Sequence, residues 1–150
     1  MTKTIIIDYA NRREFFYDTR DHIWIYLQLP FFDIDGNELR FTDENDHSKN
    51  FIFDTGAQNT IISKRRAKEC GYLNLPIQDK VFVGGIGGGV TSCRRIIIPH
   101  ITITNKLIIK KPSILILEDN NANINILGQD ILKPYSFYFD ARQQYIYFDP

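Results

Sequence analysis

The chain is poor in the residues that usually announce a metal centre, a disulfide scaffold or a membrane anchor. Among 150 residues it has two cysteines, three histidines, one methionine and one tryptophan. Cys70 and Cys93 form no CxxC pair and no clustered histidine stands beside them, so free, reduced thiols are expected rather than a zinc site or a staple. Long apolar runs are also missing. Ile5-Ile6-Ile7 is cut short by Asp8, without the charged segment, long apolar core and small-residue cleavage site of a secretory leader. No stretch approaches the ~20 apolar residues of a membrane span, and the expectation is a soluble, cytoplasmic protein. Net charge is absent as well: 18 basic residues balance 18 acidic ones, so no long-range field draws nucleic acid or an anionic membrane.

What remains is β-rich and long enough for one domain, 1–150, with a core of its own. Along His22–Phe31 the residues Ile23, Ile25, Leu27, Leu29 and Phe31 alternate with Trp24, Tyr26 and Gln28, the period of a strand with one core face. Asp33-Ile34-Asp35-Gly36-Asn37 carries tight-turn signals, so Glu38–Thr42 is expected to return antiparallel. Asp43–Asn50 has no apolar anchor and reads as a solvated loop, His47 included. Arg94–Ile98, Ile101–Thr104, Leu107–Ile109 and Ile114–Leu117 are β-branched or leucine-rich runs punctuated by Pro99, Asn105 and Pro112. Ser136–Asp140 and Gln144–Phe148 form an aromatic hairpin at the end. Two short helices interrupt this pattern: Lys64–Cys70, capped by Ser63 and ended by Gly71, and Gln129–Leu132, ended by Pro134. The basic residues of the first, Lys64, Arg65, Arg66 and Lys68, lack interleaved aromatics and read as a solvated helix face.

Two stretches do not fit a merely structural account. In Phe51-Ile52-Phe53-Asp54-Thr55-Gly56-Ala57 an apolar strand ends abruptly in a carboxylate, and Ile61-Ile62 follows after a short polar loop. Asp54 is thereby placed near apolar surroundings, where an unpaired charge costs several kcal/mol and a carboxylate needs a partner or a reaction. The second stretch, Gly84-Gly85-Ile86-Gly87-Gly88-Gly89, holds five of the nine glycines. It matches neither GxGxxG nor GxxxxGK[ST], and a strand rather than a helix is expected after it, so it reads as the tip of a β-hairpin entered by Val83 and left by Val90. Taken singly, the two stretches could be a hydrogen-bonded turn aspartate and a flexible loop.

Taken with a third piece, Ile126-Leu127-Gly128 before a short helix, they resemble one family: the retropepsins, the retroviral type of aspartic protease. The resemblance rests on Phe53-Asp54-Thr55-Gly56-Ala57, on the glycine hairpin as a flap, and on Ile126-Leu127-Gly128, in that order. It implies an all-β, closed acid-protease-type barrel monomer with one aspartate where the reaction needs two. A homodimer with a twofold axis through the site would bring Asp54 beside its own copy. Asp54, Thr55 and Gly56 are then catalytic: two carboxylates about 3 Å apart repel by about 5 kcal/mol at an effective dielectric of ~20, share one proton and activate a water, with no metal or cofactor. Thr55 would reach across the axis, and Gly56 would let substrate backbone approach. Ala57, Val83, Gly84, Gly85, Ile86, Gly87 and Ile126 would hold an extended peptide or protein substrate, Ile86 at the flap tip. A catalytically silent dimer that binds peptides or proteins on the same fold is the alternative, and a polyprotein fragment that processes its own precursor would differ only in substrate.

The sequence departs from retroviral members at two positions, where Gln58 and Gln129 stand in place of an acid and an arginine that form a bracing pair. The two amides could exchange hydrogen bonds. The long segment before Asp54 and the aromatic tail mean that the interface built from viral termini is not transferable; the Asp54 loops and part of the tail are expected at the interface. Ala57 also lacks the hydroxyl that could donate to the carboxylate. The resemblance therefore implies activity extending to a less acidic range than in stomach-type relatives, about pH 5 to 6.5. A pH-rate profile tests this, and a maximum below about pH 4 would contradict it.

Overall fold

The structure, a computed structural model, describes residues 5–8, 15–17, 23–27, 29–40, 50–86, 89–104, 107–140 and 145–149. Strands β1 (Ile5–Asp8), β2 (Phe15–Tyr17), β3 (Ile23–Leu27), β4 (Phe31–Phe32), β5 (Glu38–Leu39), β6 (Phe51–Phe53) and β7 (Ile61–Ile62) come first. Helix α1 (Lys64–Glu69) and a 3-10 turn (Tyr72–Asn74) follow. Next are β8 (Asp79–Ile86), β9 (Gly89–Ile97), β10 (His100–Thr104), β11 (Leu107–Lys110), β12 (Ser113–Leu117) and β13 (Asn125–Leu127). Helix α2 (Gln129–Leu132) leads to the closing hairpin, β14 (Ser136–Asp140) and β15 (Tyr145–Asp149). The expectation of an all-β chain with short helices matches this architecture.

Side-chain alternation along the short central strands sorts apolar residues onto two faces of one sheet. Phe51, Ile62, Ile96, Ile114, Ile116 and Leu127 join the main core, whereas Ile52, Ile61, Cys93, Leu115, Leu117 and Ile126 form a second cluster on the opposite face. The sheet has eight strands in the order β2-β3-β6-β13-β7-β12-β9-β8. Its central pairings are mixed: β6–β13 and β7–β12 run parallel, while β13–β7, β3–β6 and β12–β9 run antiparallel. Parallel neighbours need long crossovers, which the local runs of β-branched residues do not announce. Smaller sheets flank it, with β1-β15-β14 in one, β10-β11 in another and β4-β5 in a third.

Leu27, Leu29 and Phe31 all reach the main core, as their alternation implies, although Leu29 and Pro30 are not in a strand and Phe31 begins β4, which pairs in a separate sheet. Proline has no N–H for a ladder, in keeping with a position between strands. The Asp33–Asn37 turn returns β5 antiparallel to β4, closed by Asp33 Oδ1 accepting from the Asp35 and Asn37 amides at 2.9 and 2.8 Å. Helix α1 is capped by the Ser63 hydroxyl, which accepts from Arg66 N at 3.2 Å, and Gly71 takes φ +79 just past its end.

Two expectations need correction. Arg66 is not on a solvated face: it is 1% exposed, donates to Glu69 at 2.5 Å, and lies 5.4 Å from the Phe31 ring centroid. A six-residue helix laid on a sheet turns one of its faces inward, and here Arg66 and Ala67 occupy it. Asn50 is likewise buried rather than solvated, its carbonyl accepting from Asn125 Nδ2 at 3.1 Å. The remainder of the polar stretch, including His47, lies outside the described residues.

The tail hairpin is part of the core. Ile146 and Phe148 are fully buried, and Phe53 packs edge-on against Phe137, with ring centroids 5.0 Å apart. The residue immediately before Asp54 therefore rests on the last hairpin of the chain. Phe148→Ala is expected to cost about 3–5 kcal/mol of folding stability in a denaturant titration. A cost below about 1 kcal/mol would show that the hairpin does not complete this core.

Candidate active site

The topology dictates the shape of the Asp54 loop. Strand β13 lies between β6 and β7, and β6 runs parallel to it with Leu127 beside Phe53. Passing from Phe53 to Ile61, the chain must arch over the end of β13. Gly128 sits under that arch: a Cβ added there would lie 2.5 Å from the Asn59 carbonyl oxygen and 3.0 Å from that of Ala57. Only a residue without a side chain fits.

Hydrogen bonds then fasten the arch to what lies below. Asp54 N donates to Leu127 O at 3.1 Å, Gln129 N to Ala57 O at 2.8 Å, and Asp130 N to Gln58 O at 3.2 Å. Buried Thr60 is the hub at the far end. Its hydroxyl accepts from Gly128 N at 3.0 Å and donates to Asp130 Oδ1 at 2.6 Å, while its amide donates to Asp130 Oδ2 at 2.9 Å. Asn125 anchors the same region from beneath, its Oδ1 accepting from Ser63 N at 2.9 Å. Sequence reasoning did not assign Thr60, Asp130 or Asn125 to the site. A threonine just before Ile61-Ile62 and a carboxylate in the first turn of the helix after Gly128 are the signals that could have done so.

Asp54 is half-buried at the head of the arch, with Thr55 and Gly56 exposed beyond it. Its Oδ1 accepts from Gly56 N at 2.9 Å, so the Asp-Thr-Gly turn folds back on its own carboxylate. The expected exchange between the amides of Gln58 and Gln129 takes another form: Gln129 Nε2 donates to Thr55 O at 2.7 Å.

The residues expected to hold substrate converge in part. Ile126, Ala57 and Val83 share the second apolar cluster, with Ile126 buried and the other two packed at its edge. Val81, Ala122 and Ile124 border it too, and these sequence reasoning had not singled out. The glycine run lies at the end of a hairpin, as expected: β8 pairs antiparallel with β9, Gly84 opposite Val90 and Ile86 opposite Gly89. Gly85 and Ile86 complete β8, and Gly87 lies outside the described residues. The hairpin's other face carries Phe82 and Val90, both strongly exposed.

Glu118, ahead of the Asp119–Ile124 loop, accepts from Arg94 at 2.5 and 3.1 Å, and the Arg94 guanidinium holds its carboxyl below the usual range. A depressed carboxyl favours folding at neutral pH and loses that contribution as the solution is acidified through its folded-state titration. Cys93, in the second cluster, is pushed up by burial and stays a neutral thiol. Among the described residues no group of three or more His, Cys, Asp or Glu side chains could hold a metal ion, and no helix is long and apolar enough to cross a membrane.

One solved structure shares this fold and a second aligns in part. A retropepsin-like aspartic protease from Rickettsia conorii is similar over 99% of this chain and 91% of its own, with a TM-score of 0.53 at 16% identity. The EIAV protease complexed with the inhibitor HBY-793 aligns over 79% of this chain and 92% of its own, with a TM-score of 0.41 at 19% identity. Among curated proteins, none matches the chain. The fold is thus of the retropepsin-like aspartic protease class. The sequence profile of the gag-polyprotein putative aspartyl protease family matches residues 43–134, which span the arch, the glycine hairpin and Gly128, and the chain belongs to that family.

The arch makes a sharp prediction. Gly128→Ala sets a methyl group against backbone, which cannot move aside like a flexible side chain, and is expected to cost about 1–3 kcal/mol or more. Thermal denaturation beside wild type checks it, and an unchanged midpoint would refute the close approach.

Proposed function

We propose that this protein is an aspartic endopeptidase, active as a homodimer in which each subunit contributes one Asp54. The observation that carries the reading is the Asp54 loop itself, a half-buried carboxylate held by its own Gly56 amide on an arch clamped over Gly128. Such a loop presents one carboxylate in a fixed orientation, and peptide hydrolysis of this kind requires two. Asp140, the other acid that follows an aromatic run and precedes an alanine, lies at the end of β14 and lacks the Thr-Gly that folds the turn. A twofold axis beside Asp54 supplies the second carboxylate from an identical chain.

In the dimer the paired carboxylates share a proton. The ionised one takes a proton from a water held between them, and the protonated one donates to the scissile carbonyl oxygen. As it loses that proton the water oxygen bonds to the carbonyl carbon, giving a tetrahedral intermediate; the carboxylate that took the proton then passes it to the amide nitrogen, and the C–N bond breaks. Thr55, exposed beside Asp54, is suited to reach the partner loop, and Gly56 leaves room for substrate backbone. The β8–β9 hairpin acts as the flap, with Gly84–Gly87 adding backbone hydrogen bonds to an extended peptide and Ile86 at its tip. Ala57, Val83 and Ile126, gathered in one apolar cluster, favour hydrophobic side chains next to the cut bond. The tail supports the same assembly. Among the described residues β14 has a neighbour on one side only, β15, and Phe137 of β14 lies against Phe53. A second copy added along that edge would lie close to the Asp54 loops.

The test is digestion of a diverse peptide mixture by wild type and Asp54→Asn, with and without a statine inhibitor. Wild-type cutting that the inhibitor blocks and the substitution reduces to background is the expected result. Cutting that survives the substitution overturns the assignment of Asp54. Peptide binding without cutting at any pH identifies a silent binding dimer instead.

A further inference from the structure

The side chain of Gln129 bonds to the loop that carries Asp54. Its Nε2 donates to the Thr55 carbonyl oxygen at 2.7 Å. The Gly56 amide donates to Asp54 Oδ1 at 2.9 Å. That carbonyl and that N–H belong to one peptide group, the planar unit joining Thr55 to Gly56. In a trans peptide they point in opposite directions, so a donor pulling on the oxygen aims the N–H at the carboxylate. The constraint matters because glycine on one side leaves the plane easier to rotate than any other residue would. A hydrogen bond to the carbonyl also polarises the peptide and strengthens its N–H as a donor.

The rest of the arch leaves this job to Gln129. Backbone bonds already engage the Asp54, Ala57 and Gln58 carbonyls, accepting from Ala57 N, Gln129 N and Asp130 N. They hold the arch on both sides of the Thr55–Gly56 peptide, and the Gln129 side chain holds the peptide itself. Since Gln129 N also fastens Ala57 O at 2.8 Å, the side chain starts from a fixed base at the first turn of α2.

We propose that Gln129 is a positioning residue: through the Thr55–Gly56 peptide it sets the direction and strength of the hydrogen bond that Asp54 Oδ1 receives. An amide carries no charge, so this clamp neither titrates nor weakens with salt, unlike a charged brace on the same loop. The kinetic part of the proposal rests on the endopeptidase reading above, and the spectroscopic part does not.

The experiment follows the Gly56 amide proton by NMR while Asp54 is titrated, in wild type, Gln129→Met, Gln129→Glu and Gln129→Arg. An amide bonded to a carboxylate shifts as that carboxylate ionises. Wild type is expected to show the shift, Gln129→Met to lose at least about half of its amplitude, and Gln129→Arg, which restores a donor, to recover it. Gln129→Glu is the sharpest variant. Below its ordinary titration near about pH 4.3 the glutamic acid can donate to Thr55 O, and above it the carboxylate cannot. Its cleavage rate relative to wild type is therefore expected to be close to one in acid and to fall about tenfold by pH 6.5, in kcat rather than KM. If Gln129→Met leaves the Gly56 shift unchanged, or if Gln129→Glu keeps a pH-independent ratio to wild type, the proposal fails. If wild type cuts nothing, the endopeptidase reading fails and the Gly56 shift alone decides the role of Gln129. Should Gln129→Met not fold, the Glu and Arg variants make the same comparison.

Discussion

Everything at the site depends on one steric fact: the loop that carries Asp54 crosses over the end of a strand at backbone contact distance. With β13 between β6 and β7, the chain has no other route from Phe53 to Ile61. Gly128 makes the crossing possible, and the Thr60–Asp130 and Leu127–Asp54 hydrogen bonds make it rigid. A carboxylate on a free loop would sample many orientations. Here backbone and side-chain donors below it remove that freedom before any partner or substrate arrives.

The same central strands build two separate apolar clusters by alternation. One face of β6, β7, β12 and β13 builds the main core with α1, α2 and the tail hairpin, and the other builds the apolar cluster that Ala57 and Val83 border. Because successive side chains point to opposite faces, a slip of one residue in β13 would exchange Ile126 for its neighbours and move the cluster's centre into the core. The parallel β6–β13 register, Leu127 beside Phe53, holds that division in place. The tail contributes indirectly: Phe137 and Phe148 pack against the ring of Phe53, one residue from the carboxylate.

Much of this was legible in the residue order. The strand signals between Arg94 and Leu117, both short helices and the hairpin nature of the glycine run are local properties, written in alternation, caps and glycine placement. What was misread was decided at a distance. Arg66 reads as a surface cation because its neighbours in sequence are basic, yet the face of α1 it occupies is chosen by the sheet beneath. For Gln58 and Gln129, which the resemblance places where many retroviral members have a bracing pair, the sequence left open whether the two amides bond to each other. Their chemistry differs here, and the Gln129 amide finds the Thr55 carbonyl instead.

By itself, then, the sequence determined which segments are extended, where the chain turns, and that one carboxylate stands at the end of an apolar strand. Those depend on interactions between near neighbours, which pattern and propensity express. Only the tertiary structure decided that β13 is inserted between β6 and β7, that Thr60, Asp130 and Gln129 hold the Asp54 loop, and that Ala57, Val83 and Ile126 meet. These join residues tens of positions apart, and hydrogen-bond donors and methyl groups carry no local mark of the distant partner they will find.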